Sequence, residues 1–169
     1  MHSKNKPLKY HENVLVFSPG TTVHKNQSSK RMTYNPQMES GKPYKKTART
    51  ANAGSLNHPP SKANLDFIGH TSINNGTRYP ASVLNFSIHN VGLIHPTQKP
   101  VELFEYLIKT YSDQGGIILD NCIGSGTTAI AAMRTGRNWI GIEKEEKYVI
   151  PANKRIEEER WKQSIHQRI

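Results

Sequence analysis

The stretch Ile117-Ile118-Leu119-Asp120-Asn121-Cys122-Ile123-Gly124-Ser125-Gly126-Thr127-Thr128-Ala129-Ile130-Ala131-Ala132 constrains the fold of this chain more than any other. Three apolar residues end in an acid. A turn with two glycines follows, and then a run of small residues of helical character. The pattern predicts a buried strand, a tight loop and a helix N-terminus. Gly124 and Gly126 can take backbone angles closed to other residues and let a ligand approach the main chain. The N–H groups of the new helix then face the polar end of that ligand. Such a loop suits a nucleotide-like ligand, but short Gly-x-Gly turns are common and one alone says little.

A second segment adds to it. Trp139-Ile140-Gly141-Ile142-Glu143 reads as the next strand with an acid at its end, 17 positions beyond Gly126. In a dinucleotide-binding unit an acid about 20 residues past the glycine loop holds ribose hydroxyls. Strand, loop, helix, strand and acid together favour an adenosine site. The competing reading of Glu143 is a solvated acid in the first turn of the following helix.

The length of 169 residues suits one domain or one and a half. Hydrophobic residues make up 34% and the mean hydropathy is −0.70, which is low for a compact enzyme and implies much loop. The single cysteine, Cys122, excludes an intrachain disulfide and a cysteine-rich zinc site. It sits in the glycine loop and reads as a small loop or packing residue rather than a catalytic thiol. No apolar stretch approaches the roughly 18 residues of a membrane span. The start, Met1-His2-Ser3-Lys4-Asn5-Lys6, lacks the apolar region of a secretion signal, so the cytoplasm is the default location.

The net charge of +10 is uneven. Residues 1–94 carry 12 lysines and arginines against 3 acids, and residues 95–169 carry 11 against 10. A basic half beside a balanced half suggests a polyanion on the first and a small ligand on the second. The competing reading is a basic tail kept soluble by its charge.

Along the chain, Asn13 to Phe17 reads as a strand bounded by Ser18-Pro19-Gly20. No partner strand is evident upstream, which suggests that the chain begins partway through a larger unit. Residues 19–76 are rich in Ser, Thr, Asn, Gly, Pro and Lys and lack sustained periodicity. Tyr34 and Tyr44 are placed to stack on bases or sugars, with Lys42, Lys45 and Lys46 on phosphates and Arg78 as a further basic candidate. A disordered basic linker fits the composition equally well. Ser82 to Phe86 gives a second candidate strand. Pro100 opens a helix from about Val101 to Ser112, with Val101, Leu103, Phe104, Leu107, Ile108 and Tyr111 at helical spacing. A second helix is expected from about Gly126 to Thr135, a strand from Trp139 to Ile142, and a last helix from near Glu145 past Arg160. Glu157-Glu158-Glu159 on that helix reads as a solvated face.

Three motifs in this order carry a resemblance: His95-Pro96-Thr97-Gln98-Lys99-Pro100, the Asp120-to-Thr128 loop, and Ile140-Gly141-Ile142-Glu143. Together they resemble the C-terminal part of a β-group amino (adenine-N6 or cytosine-N4) DNA methyltransferase, in which the catalytic segment precedes the target-recognition region and the S-adenosylmethionine half. The Tyr10–Phe17 strand and the Tyr34–Tyr44 segment resemble it more weakly. The resemblance implies an α/β fold: part of a seven-stranded, mostly parallel, Rossmann-like methyltransferase sheet with helices on both faces, plus a loop-rich basic N-terminal region. Residues 1–18 would continue the catalytic half, 19–80 would form the target-recognition region, and 81–169 the S-adenosylmethionine-binding half. His95, Thr97 and Lys99 would sit near the methionine end of the cofactor, Lys99 against its carboxylate. Asp120, Gly124, Ser125, Gly126 and Thr127 would line methionine and sugar, and Glu143 would hold the ribose.

The chain departs from that family at two places. Asn121-Cys122 stands where the family has Pro-Phe, a change expected to loosen the packing of the cofactor. The catalytic signature, Asp/Asn/Ser-Pro-Pro followed by an aromatic residue, is absent; Pro59-Pro60 lies between His58 and Ser61. The signature binds the target amino group and stacks on the flipped base, so no catalytic residue is assigned. The leading expectation is a fragment or subunit of a DNA methyltransferase acting on double-stranded DNA, adenine N6 favoured, with the catalytic motif on a second polypeptide. The alternative is an inactive relic that at most binds DNA. A small-molecule methyltransferase is disfavoured by the basic first half. Exposed strand edges are expected to drive homo-oligomerisation, partner binding or poor solubility.

Overall fold

A computed structural model of the protein describes residues 11–20, 31–47, 71–87 and 93–166. In chain order the elements are β1 (Glu39–Ser40), β2 (Tyr44–Thr47), β3 (Thr71–Asn74), β4 (Thr77–Arg78), α1 (Val101–Tyr111), β5 (Ile117–Asp120), α2 (Thr127–Arg134), β6 (Asn138–Gly141) and α3 (Glu146–His166).

The first four strands make one antiparallel ribbon. Glu39 faces Arg78 and Ser40 faces Thr77, and after an interruption Tyr44 faces Asn74 and Thr47 faces Thr71. Gly41-Lys42-Pro43 on one strand thus oppose Asn75-Gly76 on the other, which is a bulge with one extra residue. Proline has no N–H to give a ladder, so Pro43 suits this position. Gly76, at φ +101°, takes the left-handed turn beside it. Every residue of β2 is exposed. With neither face buried, the strand carries no alternation for sequence to reveal, and the segment read as periodicity-free loop contains this ribbon.

The second half builds one strand–helix–strand unit. β5 and β6 pair in parallel, with Ile117 opposite Asn138 and Asp120 opposite Gly141, and α2 makes the crossover between them. Helix α2 is the centre of the core: Ala129, Ala131 and Ala132 are fully buried and Ile130 nearly so. Small side chains let its neighbours approach closely. Ile108 and Phe104 of α1 pack on Ala131 and Ala132, and Ile156 of α3 packs on Ala129 and Ile130. Ile118 and Trp139 bring the sheet against the same helix. Pro100 precedes the first turn of α1, and α3 carries Pro151 within its second turn.

Several expectations are corrected. Asn13–Phe17 and Ser82–Phe86 form no strand; no neighbouring backbone among the described residues completes a ladder with them. The central strand is only half buried. Ile117 is 67% and Leu119 64% exposed, because α2 covers one face of β5–β6 only. The α/β fold class holds: of the seven-stranded sheet expected in part, the described residues show β5 and β6 as parallel strands, joined by α2. Within Glu157-Glu158-Glu159, the first two are solvated as expected. Glu159 is buried, with a bidentate bond to Arg134 through Nε at 2.7 Å and Nη2 at 2.9 Å. No helix among the described residues is long and apolar enough to cross a membrane.

Candidate cofactor site and basic ribbon

The carboxyl ends of β5 and β6 open onto one place, the general position of ligand crevices in parallel α/β sheets. Asp120 ends β5. Its Oδ1 accepts the Cys122 N–H at 3.0 Å and its Oδ2 accepts the Thr128 hydroxyl, so the acid ties strand, turn and helix together. Gly124 and Gly126 both have positive φ, +52° and +78°. Gly126 caps α2 without any side-chain bond to the helix N–H groups. A side chain at Gly126 would meet Ile156 at 3.2 Å and Ala152 at 3.5 Å, so the residue is held small by packing as well as by conformation. On the next strand, Gly141 has an ordinary φ but lies under Ile123, which any side chain there would strike.

Glu143, just past β6, reaches back across the crossover. Its Oε2 accepts the Gly124 N–H at 2.8 Å and its Oε1 accepts the Glu145 N–H at 2.9 Å. These bonds, the one from Glu145 foremost, hold its carboxyl below the ordinary value, and the neighbouring His95 acts in the same direction. Glu143 is therefore a fixed carboxylate rather than a solvated helix acid. Each oxygen takes one N–H and keeps capacity for a further hydroxyl.

The His95-to-Lys99 turn closes the site from the α1 side. The Gln98 N–H bonds the His95 carbonyl at 3.0 Å, and His95 Nδ1 takes Thr97 N at 3.2 Å and lies 3.0 Å from its hydroxyl. The imidazole packs edge-on against Tyr148 of α3 at 4.3 Å between ring centres and lies over Gly124. Lys99 Nζ holds both oxygens of Glu12, at 2.8 and 2.6 Å.

The structure thus gathers His95, Thr97, Lys99, Asp120, Gly124, Ser125, Gly126, Thr127 and Glu143 at one end of the parallel sheet. It also shows what sequence reading missed. Ser125 and Thr127 are only 4% and 5% exposed. Their side chains turn toward Arg155 of α3, whose Nη1 reaches the Ser125 carbonyl at 3.0 Å and the Thr127 hydroxyl at 3.1 Å. Arg155 and Glu12 belong to no recognisable motif; one sits in a charged helix and the other far upstream.

The basic residues divide. Tyr44, Lys42, Lys45, Lys46 and Arg78 lie on the ribbon, with the Arg78 guanidinium over the Tyr44 ring at 4.7 Å. Arg78 also bonds the Asn74 side chain and the Thr77 and Lys42 carbonyls, so much of its capacity braces the bulge. Tyr34 is not with them: its ring lies 6.2 Å from Tyr111 of α1, and Asn35 N–H bonds the Thr110 carbonyl at 2.7 Å.

A family model described as a DNA methylase, N6_N4_Mtase, matches residues 1–154. Type II methyltransferase M2.DpnII of Streptococcus pneumoniae is 49% identical over 65 residues, 38% of this chain and 24% of that protein. Type II methyltransferase M.BglI of Bacillus subtilis is 48% identical over 63 residues, 37% of this chain and 18% of that protein. The chain thus spans less than a quarter of the length of these curated relatives. The crystal structure of the M1.HpyAVI–SAM complex aligns with a TM-score of 0.42 at 35% identity, over 49% of this chain and 41% of that one.

Proposed function

The chain belongs to the DNA methylase family whose model spans residues 1–154, and on that premise we propose that it supplies the S-adenosylmethionine-binding half and a DNA-facing ribbon of a DNA methyltransferase. The acceptor is an exocyclic amino group of a DNA base, with adenine N6 favoured over cytosine N4. The observation that carries this reading is the convergence of Lys99, the glycine loop and a fixed Glu143 at the carboxyl ends of β5 and β6.

The residues suit the ligand. Lys99 already holds one carboxylate bidentately, that of Glu12, so it has the chemistry for the carboxylate of a methionine tail. Glu143 is charged and pre-oriented for two ribose hydroxyls. Bound there, the cofactor supplies a methyl group on a sulfonium. The chain itself fixes the two ends of the ligand and the position of that group relative to an incoming base. This sequence lacks the Pro-Pro-aromatic signature, so no residue of it is assigned as acceptor for the amino-group proton. Lys42, Lys45, Lys46 and Tyr44, exposed on the ribbon, are placed for phosphates and bases of double-stranded DNA.

Isothermal titration of S-adenosylmethionine into the purified chain tests the cofactor reading. Lys99→Ala and Glu143→Ala should each weaken binding about 10- to 100-fold, the value of a charge-assisted hydrogen bond. A folded protein that takes no cofactor overturns it and favours the second reading, a chain that only binds DNA. In a DNA titration, Lys45→Ala with Lys46→Ala should lower the salt slope by about 2. An unchanged slope removes the ribbon from the DNA interface.

A further inference from the structure

Arg155 lies on the face of α3 that meets the glycine loop. Ala152 and Ile156, its neighbours on that face, lie within contact distance of where a Gly126 side chain would be. Nη1 of Arg155 donates to the Ser125 carbonyl at 3.0 Å, the Thr127 hydroxyl at 3.1 Å and the Ser125 hydroxyl at 3.4 Å. All three acceptors are uncharged. Glu159, the acid whose field reaches it, is engaged by Arg134 instead. Among the described residues no carboxylate forms an ion pair with Arg155. Burial first, and the nearby Arg134 cation second, pull its guanidinium below the ordinary value, and the field of Glu159 acts the other way.

The bonds have a direction. A hydroxyl that accepts from a guanidinium must turn its own proton elsewhere. The Thr127 hydroxyl has two acceptors for that proton, the Ser125 hydroxyl 3.2 Å away and the Lys99 carbonyl 3.5 Å away. Arg155 therefore governs the part of the loop next to Lys99. The other end, Gly124, is governed by Glu143. The two halves of one loop are set by two different charged residues, one for each end of the ligand.

We infer that Arg155 is a positioning residue, which sets the Ser125–Thr127 segment and adds positive potential for the carboxylate end of the cofactor. The inference rests on the cofactor reading above and deepens it. The two cations differ in their surroundings: Lys99 is neutralised by Glu12 in this structure, and among the described residues no carboxylate pairs with Arg155.

The test compares S-adenosylmethionine with decarboxylated S-adenosylmethionine, which differs only in lacking that carboxylate, by isothermal titration. The wild-type chain should prefer the carboxylated ligand at least 10-fold. In Arg155→Met that preference should shrink at least fivefold, and Arg155→Lys, which keeps the charge, should restore part of it. A merely structural arginine would weaken both ligands equally and leave the preference intact, which overturns the inference. A wild-type chain that binds both ligands equally also overturns it while leaving the cofactor reading standing. A wild-type chain that binds neither overturns both. If Arg155→Met fails to fold, Arg155→Gln, which removes the charge but keeps hydrogen-bond donors, carries the same comparison, and an unchanged preference in it overturns the inference.

Discussion

Glu12 holds Lys99 through both carboxylate oxygens, across 87 positions of sequence. At the residue scale this makes Glu12 a competitor for any ligand carboxylate that Lys99 is to bind. The pair is partly solvated, with side chains 34% and 71% exposed, so its own contribution to stability is small. Its effect on the site is larger, because the incoming carboxylate must displace an anion already in place. Glu12→Gln should tighten S-adenosylmethionine binding about threefold to tenfold at low salt, with the melting temperature moved by less than about 2 °C. Weaker binding in this variant would mean that Glu12 holds Lys99 in its working position instead. At this scale the sequence was half legible. Gly124, Gly126, Asp120 and Glu143 announce themselves through spacing, and the tight turn from β5 into α2 takes positive φ at both glycines. Glu12 and Arg155 do not, since their roles come from contacts that no local pattern encodes.

At the scale of elements, legibility follows burial. α1, β5, α2, β6 and α3 stand within a residue or so of their expected positions, because each has a stripe or face against the core that fixes its period. The ribbon escaped because it has no buried face. α3 adds a case in between: its acidic triplet reads as solvated, yet Glu159 falls at the 152, 156, 159 spacing of the buried stripe. There it meets Arg134 of α2, and Arg134 also reaches Glu105 of α1 at 3.4 Å, so one guanidinium joins three helices. The hydrogen bond from Arg134 holds the Glu159 carboxyl below its ordinary value of 4.5, against the cost of its burial. A carboxyl lowered in the folded state stabilises above the unfolded value and loses that contribution as pH falls through the folded one. The pair should therefore be at full strength above about pH 5 and fade below it. Arg134 is partly solvated, so the contribution is about 1 kcal/mol, or about 3 °C in melting temperature. Glu159→Gln should melt lower by about that amount at pH 7, with the deficit shrinking as the pH falls below about 5. A deficit that does not shrink on acidification would show that packing, not charge, is what the substitution removes.

The whole molecule shows one consequence of its small core. Helices cover the Ile118 and Trp139 face of β5–β6, while Ile117, Leu119, Ile140 and Ile142 on the other face are 53–67% exposed. These four form an apolar surface on adjacent parallel strands, where such sheets are normally covered on both sides. Val14, Leu15 and Phe17 add further exposed apolar side chains elsewhere. Low hydrophobic content carries no sign of this surface, because composition counts apolar residues without saying which face they occupy. Contiguous apolar surface on a folded chain marks an interface. We predict that the isolated chain self-associates through this face and that a polypeptide completing the methyltransferase would cover it. Sedimentation velocity should show concentration-dependent association, and Leu119→Lys or Ile140→Lys should suppress it without lowering the melting temperature by more than about 2 °C, since each side chain is already solvated. The cofactor titration should survive the same substitutions, because the site lies at the strand ends and not on the sheet face. A monodisperse wild-type monomer with one cooperative melt would overturn the assignment, and would mean that a two-stranded parallel sheet with one bare apolar face is stable and soluble by itself.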